Sequence, residues 1–152
     1  MAWLPPRRAV LRSGDDKLTK SSSELLSRSP FARHLEIRVE MNGDERLYCL
    51  DDRDALVGNL ALSALHGGAV AAFLELCCAA ELSFVAGFAH PPRPISINLQ
   101  YISSAKRVIT FASPKVRRIG RRVAVVHGEA WQADRNDPVC AAQCEFRIVS
   151  DS

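Results

Sequence analysis

The chain lacks a uniform apolar run long enough to cross a bilayer. Its longest candidate, Gly67–Phe88, is interrupted by Glu75 and Glu81, and carboxylates are costly in hydrocarbon. The opening stretch MAWLPPRRAVLRSGDDKL has no apolar core of the secretory kind. Its arginines are a weak organelle-targeting signal, opposed by Asp15 and Asp16, so the expected location is the cytoplasm. Cysteine is present in an odd number, five, at Cys49, Cys77, Cys78, Cys140 and Cys144, which argues against a full set of disulfides. No cysteine or histidine spacing suits zinc, and the five thiols read as small core residues. Aromatics are only 7% of the chain. The basic stretch Lys106–Arg122 has no interleaved aromatic series on which bases would stack, so nucleic acid is a poor partner. There are no internal repeats.

What is present fits one globular domain. The 152 residues are 47% hydrophobic and 24% charged, with a net charge of +3, enough for a single sizeable core. Residues 1–20 mix Pro, Arg, Ser, Gly and Asp without a period and read as a flexible arm, which leaves 21–152 as the domain. The segment 21–35 predicts a short helix, capped by Ser with Glu24 and ending near Pro30. EIRVEM and RLYCLD flank NGDE, which predicts a hairpin with strands at 35–41 and 46–51. A loop leads to an Ala/Leu-rich helix from Gly67 to about Ala86, closed by GFAHPPRP. Period-2 segments follow in ISINLQYI, RVITFASPKVRR, RVAVVHGEAWQA and VCAAQCEFRIV. This order predicts an α+β architecture, an antiparallel sheet wrapped around one long helix.

That helix carries the oddities. On a wheel centred on Glu75, the bulky residues Val70, Phe73, Leu74, Cys77, Phe84, Val85 and Phe88 gather opposite. Gly68, Ala71, Ala72, Ala79 and Ala86 surround the carboxylate, with Leu82 at the edge. A solvated stripe carries charged residues, so this small apolar face predicts a second subunit packed against it. Glu75 would then be partly desolvated and suited to act as general base or nucleophile. A glutamate reaching water or pairing with an arginine is the alternative, and Glu81 competes for the same role. His66-Gly67-Gly68 opens the helix, where unpaired N–H groups sit at the positive dipole end. These could stabilise an oxyanion, with Gly68 allowing a ligand close to the backbone. A tight turn would explain the glycines equally well, and a lone histidine there more often caps or packs.

GNLALSALHGGAVAAFLE, ISINLQYISSA and VRRIGRRVAVVHGEAWQ together resemble the hotdog-fold acyl-CoA thioesterases, in the phenylacetyl-CoA-thioesterase-like group. The shared signature is H-G-G, six residues, then Asp or Glu, here His66, Gly67, Gly68 and Glu75. A "Y-x-x-x-A" segment at Tyr101–Ala105 and a "G-R-x-V/A" hairpin accompany it, over roughly residues 30–150. The resemblance implies dimers that pair into tetramers, with active sites at the dimer interface. It implies hydrolysis of an acyl-CoA thioester to free acid and CoA, without metal or prosthetic group. By position, Glu75 would activate water or attack the thioester, and the Gly67 N–H would polarise the carbonyl. His66 and Asn59 would position thioester and water, and Ser96 or Asn98 would supply a polar strand residue. Arg118, Arg121 and Arg122 would face the CoA phosphates. Three departures stand out: an Asn59–His66 gap one residue longer than in some relatives, YISSA in place of Y-L-R-P-A, and Glu in place of the commoner Asp. Phe73, Leu76 and Leu60–Leu65 are the expected pocket walls. The alternative function is a non-catalytic acyl-CoA-binding protein, a sensor or accessory subunit. A hydratase or dehydratase is disfavoured because the Asp-x4-His pattern is absent.

Overall fold

The computed structural model describes residues 23–88 and 92–148. The expected arm at 1–20 and the centre of GFAHPPRP lie outside the described residues. Residues 23–27 are helical and end just before Pro30, as expected, but the proline does more than stop a helix. It opens a second short helix, Pro30–Leu35, whose N-cap Ser29 accepts a hydrogen bond from the Ala32 N–H. Proline suits a first helical position because the N–H it lacks has no partner there.

Strands β1 (Arg38–Asn42) and β2 (Glu45–Leu50) form the expected hairpin, turning at Gly43 with a φ of +63°. The segment expected as a loop contains a 3-10 turn, Asp54–Leu56, and a small ribbon of β3 (Val57–Asn59) and β4 (Ala64–Leu65). The central helix runs Gly67–Ala86 and ends at Gly87, whose left-handed φ of +71° lets Phe88 N–H reach the Ser83 carbonyl. The remaining strands are β5 (Arg93–Tyr101), β6 (Thr110–Ala112), β7 (Lys115–Ile119), β8 (Val123–Trp131) and β9 (Pro138–Arg147). The sheet order is β1-β2-β6-β8-β9-β5, entirely antiparallel, with β7 paired to the first half of β8. β5 is an edge: β9 pairs with one side of it.

Side-chain alternation turns Cys140, Ala142, Cys144 and Phe146 of β9 inward, where all are buried with Phe73, Leu74, Cys77 and Cys78 of the helix. Contact is close at Gly128, where a Cβ would lie 2.9 Å from Cys78 Sγ. Burial of the helix does not follow the wheel throughout. Ala79 and Leu82, expected on the small face, are buried, whereas Val85, expected on the bulky face, is 51% exposed. Ala79 and Leu82 join the same core cluster as Val126 and Cys144, whereas Val85 sits in the last turn before Gly87. By length and hydropathy the helix would suffice to span a bilayer, but half of its apolar window is packed inside the fold. A long helix enclosed by a curled antiparallel sheet is the hotdog arrangement.

Candidate active site

Two carboxylates compete on the helix, and the fold separates them. Glu81 accepts a bidentate hydrogen bond from Arg46, at 2.8 and 2.6 Å, and another from the Tyr48 hydroxyl at 3.0 Å. The Arg46 guanidinium also stacks over Phe84, 3.5 Å from its centroid. Glu81 is thus committed to a shielded structural pair. Glu75 is half-buried and has no hydrogen bond or ion pair among the described residues. Burial alone pushes its pKa above the ordinary glutamate value. A desolvated carboxylate with no partner is available for chemistry.

The helix start is shaped by His66. Its backbone N–H bonds to the Leu56 carbonyl at 2.7 Å, and its Nδ1 accepts the Gly68 N–H at 2.9 Å. That cap satisfies Gly68, and the His66 carbonyl takes the Ala69 and Val70 N–H groups. The Gly67 N–H is left without an acceptor among the described residues. His66 therefore caps the helix through Nδ1, and this bond makes the neutral ring's other nitrogen the protonated one. Both glycines are closely packed, Gly68 the more tightly. A Cβ on Gly68 would stand 2.9 Å from His66 Nδ1, and one on Gly67 would stand 3.2 Å from the Tyr101 ring.

Asn59 is exposed, and its Oδ1 accepts from the Leu62 N–H at 3.0 Å, closing the turn before β4. Ser96 and Asn98 pair with Glu145 and Gln143 in β9. Both therefore share the outer face of the sheet, opposite the helix-facing Ala142 and Cys144. Asn98 there borders a polar concavity of about 300 Å³ with His127, Glu129 and Gln143. Arg118, Arg121 and Arg122 are exposed around the β7–β8 turn, at the end of the sheet where Arg147 pairs with Arg93 and Val123. Tyr101, beside Gly67, marks the other end of β5, about 26 Å away for eight strand residues. Within one chain the structure therefore brings together His66, Gly67 and Gly68, and keeps the arginines remote. Glu75 lies eight residues beyond Gly67, about 12 Å along the helix axis.

A cavity of about 400 Å³ adjoins Gly67 and is lined by Leu65, Val70, Tyr101, the 102–105 segment, Val139 and Cys140. Of the walls expected from sequence, Leu65 contributes, whereas Phe73 is fully buried in the core. Tyr101 was missed as a site residue. Its hydroxyl donates to the Gly67 carbonyl at 3.1 Å, and the only sequence signal was the Y-x-x-x-A match. Among the described residues no cluster of His, Cys, Asp and Glu is arranged to hold a metal ion.

The sequence model of the Thioesterase superfamily matches residues 62–139, just over half of the chain. No curated protein matches. Several solved structures share the fold. One from Pseudomonas aeruginosa superposes with a TM-score of 0.76 at 19% identity, covering 87% of this chain and 99% of its own. A phenylacetic acid degradation-related protein from Ralstonia eutropha gives 0.66 at 20% identity, covering 84% and 99%. A Bacillus halodurans protein, solved with CoA, gives 0.70 at 15% identity, covering 95% and 99%.

Proposed function

From the premise that the chain belongs to the thioesterase superfamily, we propose that it hydrolyses an acyl-CoA thioester to the free acid and CoA. The observation that carries this reading is Glu75, a half-buried carboxylate left without a partner while its neighbour Glu81 is fully paired. The thioester carbonyl oxygen takes the free Gly67 N–H, aided by the positive end of the helix dipole. Glu75 either accepts a proton from the attacking water or attacks the carbonyl carbon itself. CoA thiolate leaves as the tetrahedral intermediate collapses and is protonated from solvent; where Glu75 is the nucleophile, water then hydrolyses the acyl–Glu75 anhydride to release the acid and regenerate the carboxylate. His66 holds the first turn in place, and Asn59 shapes the loop beside it. The CoA found with the Bacillus halodurans protein supports a CoA ester as substrate.

The 12 Å between Gly67 and Glu75 along one helix is too long for both to act on one carbonyl, because reacting atoms must approach to about 3–3.5 Å. The site is therefore proposed to form between two chains, with Glu75 supplied by the partner. The free edge of β5 provides the means. Antiparallel pairing of β5 with its copy would bring the partner's basic end, Arg118, Arg121 and Arg122 included, beside this chain's Tyr101 and Gly67. The CoA phosphates would lie against those arginines, with the pantetheine arm running from them to the thioester at Gly67. Ser96 and Asn98 face outward on the same strand and would meet CoA only from that surface.

The test uses two variants at one position. Gly67→Pro removes the N–H with a residue suited to a helix start, and the extended His66 (φ −64°, ψ 127°) tolerates a following proline. Gly67→Ala adds a comparable Cβ and keeps the N–H. Gly67→Pro is expected to lose about 100-fold or more in kcat, with Gly67→Ala far less affected. Glu75→Gln is expected to be inactive, and mixing it with Gly67→Pro should restore about a quarter of parental activity, since random dimers carry one intact site in half of the population. Equal activity of the two Gly67 variants would remove the oxyanion role, and failure of mixed chains to complement would remove the shared site.

A further inference from the structure

The cavity beside Gly67 has a floor of buried apolar groups, Leu65, Val70, Val139 and Cys140; Ser103 and Ser104 also line it, and no charged side chain does. A pantetheine arm carries amides that need partners, whereas an acyl group needs none, so this floor suits the acyl group. One wall is the segment after β5, pinned where the Ile102 and Ser103 N–H groups both bond to the Val139 carbonyl. The other wall is Tyr101. Its hydroxyl is tied to the Gly67 carbonyl and its ring lies against the Gly67 α-carbon, so it is held at two points. At about 400 Å³ the cavity is near the small end of ligand sites.

We propose that this cavity receives the acyl group and that Tyr101 is the specificity-determining residue, limiting substrates to short-chain or single-ring acyl esters. The inference rests on the thioester reading above. The Tyr101 ring packs closely over Gly67, where a Cβ would stand 3.2 Å from it. Tyr101 acts by shape, while its hydroxyl positions the helix start.

The experiment compares butyryl-CoA and lauroyl-CoA in the parent, Tyr101→Ala and Tyr101→Phe, by kcat/KM and, in a Glu75→Gln background, by calorimetric affinity. The parent should favour butyryl-CoA by about tenfold or more. Tyr101→Ala should shift the ratio at least about tenfold toward lauroyl-CoA, and Tyr101→Phe, which keeps the ring, should hold the parental ratio. A parent that accepts both esters equally, or a Tyr101→Ala variant that loses both in proportion, overturns the proposal. If no ester is hydrolysed but the affinity ratio shifts as stated, the reaction is refuted and the pocket assignment stands.

Discussion

Glu75 and Glu81 lie six positions apart on one helix and meet opposite environments. Glu81 neutralises Arg46 in a pair whose side chains are only 12% and 10% exposed. Glu81→Gln would leave the Arg46 charge shielded and unpaired, and is expected to cost about 3 kcal/mol in chemical denaturation. Glu75→Gln removes a charge that nothing among the described residues neutralises, and should leave the protein as stable or more so while abolishing turnover. The pH dependence follows from the sign of the shift. Burial raises the folded-state pKa of Glu75 above 4.5, so the folded state holds the proton more tightly. Its contribution to stability is therefore lost as pH rises from 4.5 through the raised value, and thermal melts of Glu75→Gln should lack that decline. Activity, needing the carboxylate, should fall on the acid side at a pH above that of an ordinary glutamate. Glu45 titrates in the other sense. Arg135 first, then Ser113 and Lys115, hold its pKa far below 4.5, so its stabilisation is present above 4.5 and lost on acidification. A helical wheel separates Glu75 and Glu81 by angle, but only the arrival of Arg46 and Tyr48 from β2 decides which is paired.

The helix start shows what an element adds to its residues. The sequence places His-Gly-Gly before an Ala/Leu-rich run, and that suffices to predict a helix beginning at Gly67. Which donor stays free depends on the cap, since His66 Nδ1 takes the Gly68 N–H. Gly68→Ala would drive a Cβ to 2.9 Å from that nitrogen and displace the cap. A loss of about 1 kcal/mol in thermal or urea unfolding is expected, together with reduced kcat as the first turn loosens. Pro30 teaches the same lesson. Proline predicts an interruption, and it occurs, but the Ser29 cap turns it into the start of another helix. The ribbon of β3 and β4 was illegible because three- and two-residue strands carry no measurable period.

At the scale of the whole molecule, the site proposed above needs a second copy, and the edge of β5 offers the surface on which one could pair. Ile95 lies on that edge and is exposed in the single chain. A charge there opposes edge pairing, so Ile95→Lys should convert the proposed dimer to a monomer by light scattering. Hydrolysis should fall with it, because Gly67 and Glu75 would no longer meet. A fully active monomer would contradict the shared site. The arginines around the β7–β8 turn belong to this scale as well. Their charge is plain in the sequence, but only strand polarity shows them at the opposite end of the sheet from Gly67.

The sequence alone determined an α+β fold with an antiparallel sheet wrapped around one long helix, because period-2 segments and an apolar helix are local patterns that each element displays by itself; the hotdog assignment came from the resemblance of its motifs. It also named His66, Gly67, Gly68 and Glu75 through their spacing. The tertiary structure decided what spacing does not contain. Arg46 and Tyr48 reach Glu81 across more than thirty residues of chain, and Tyr101 reaches Gly67 from another strand. Pairings of that kind depend on how the sheet closes around the helix, and no local period records them.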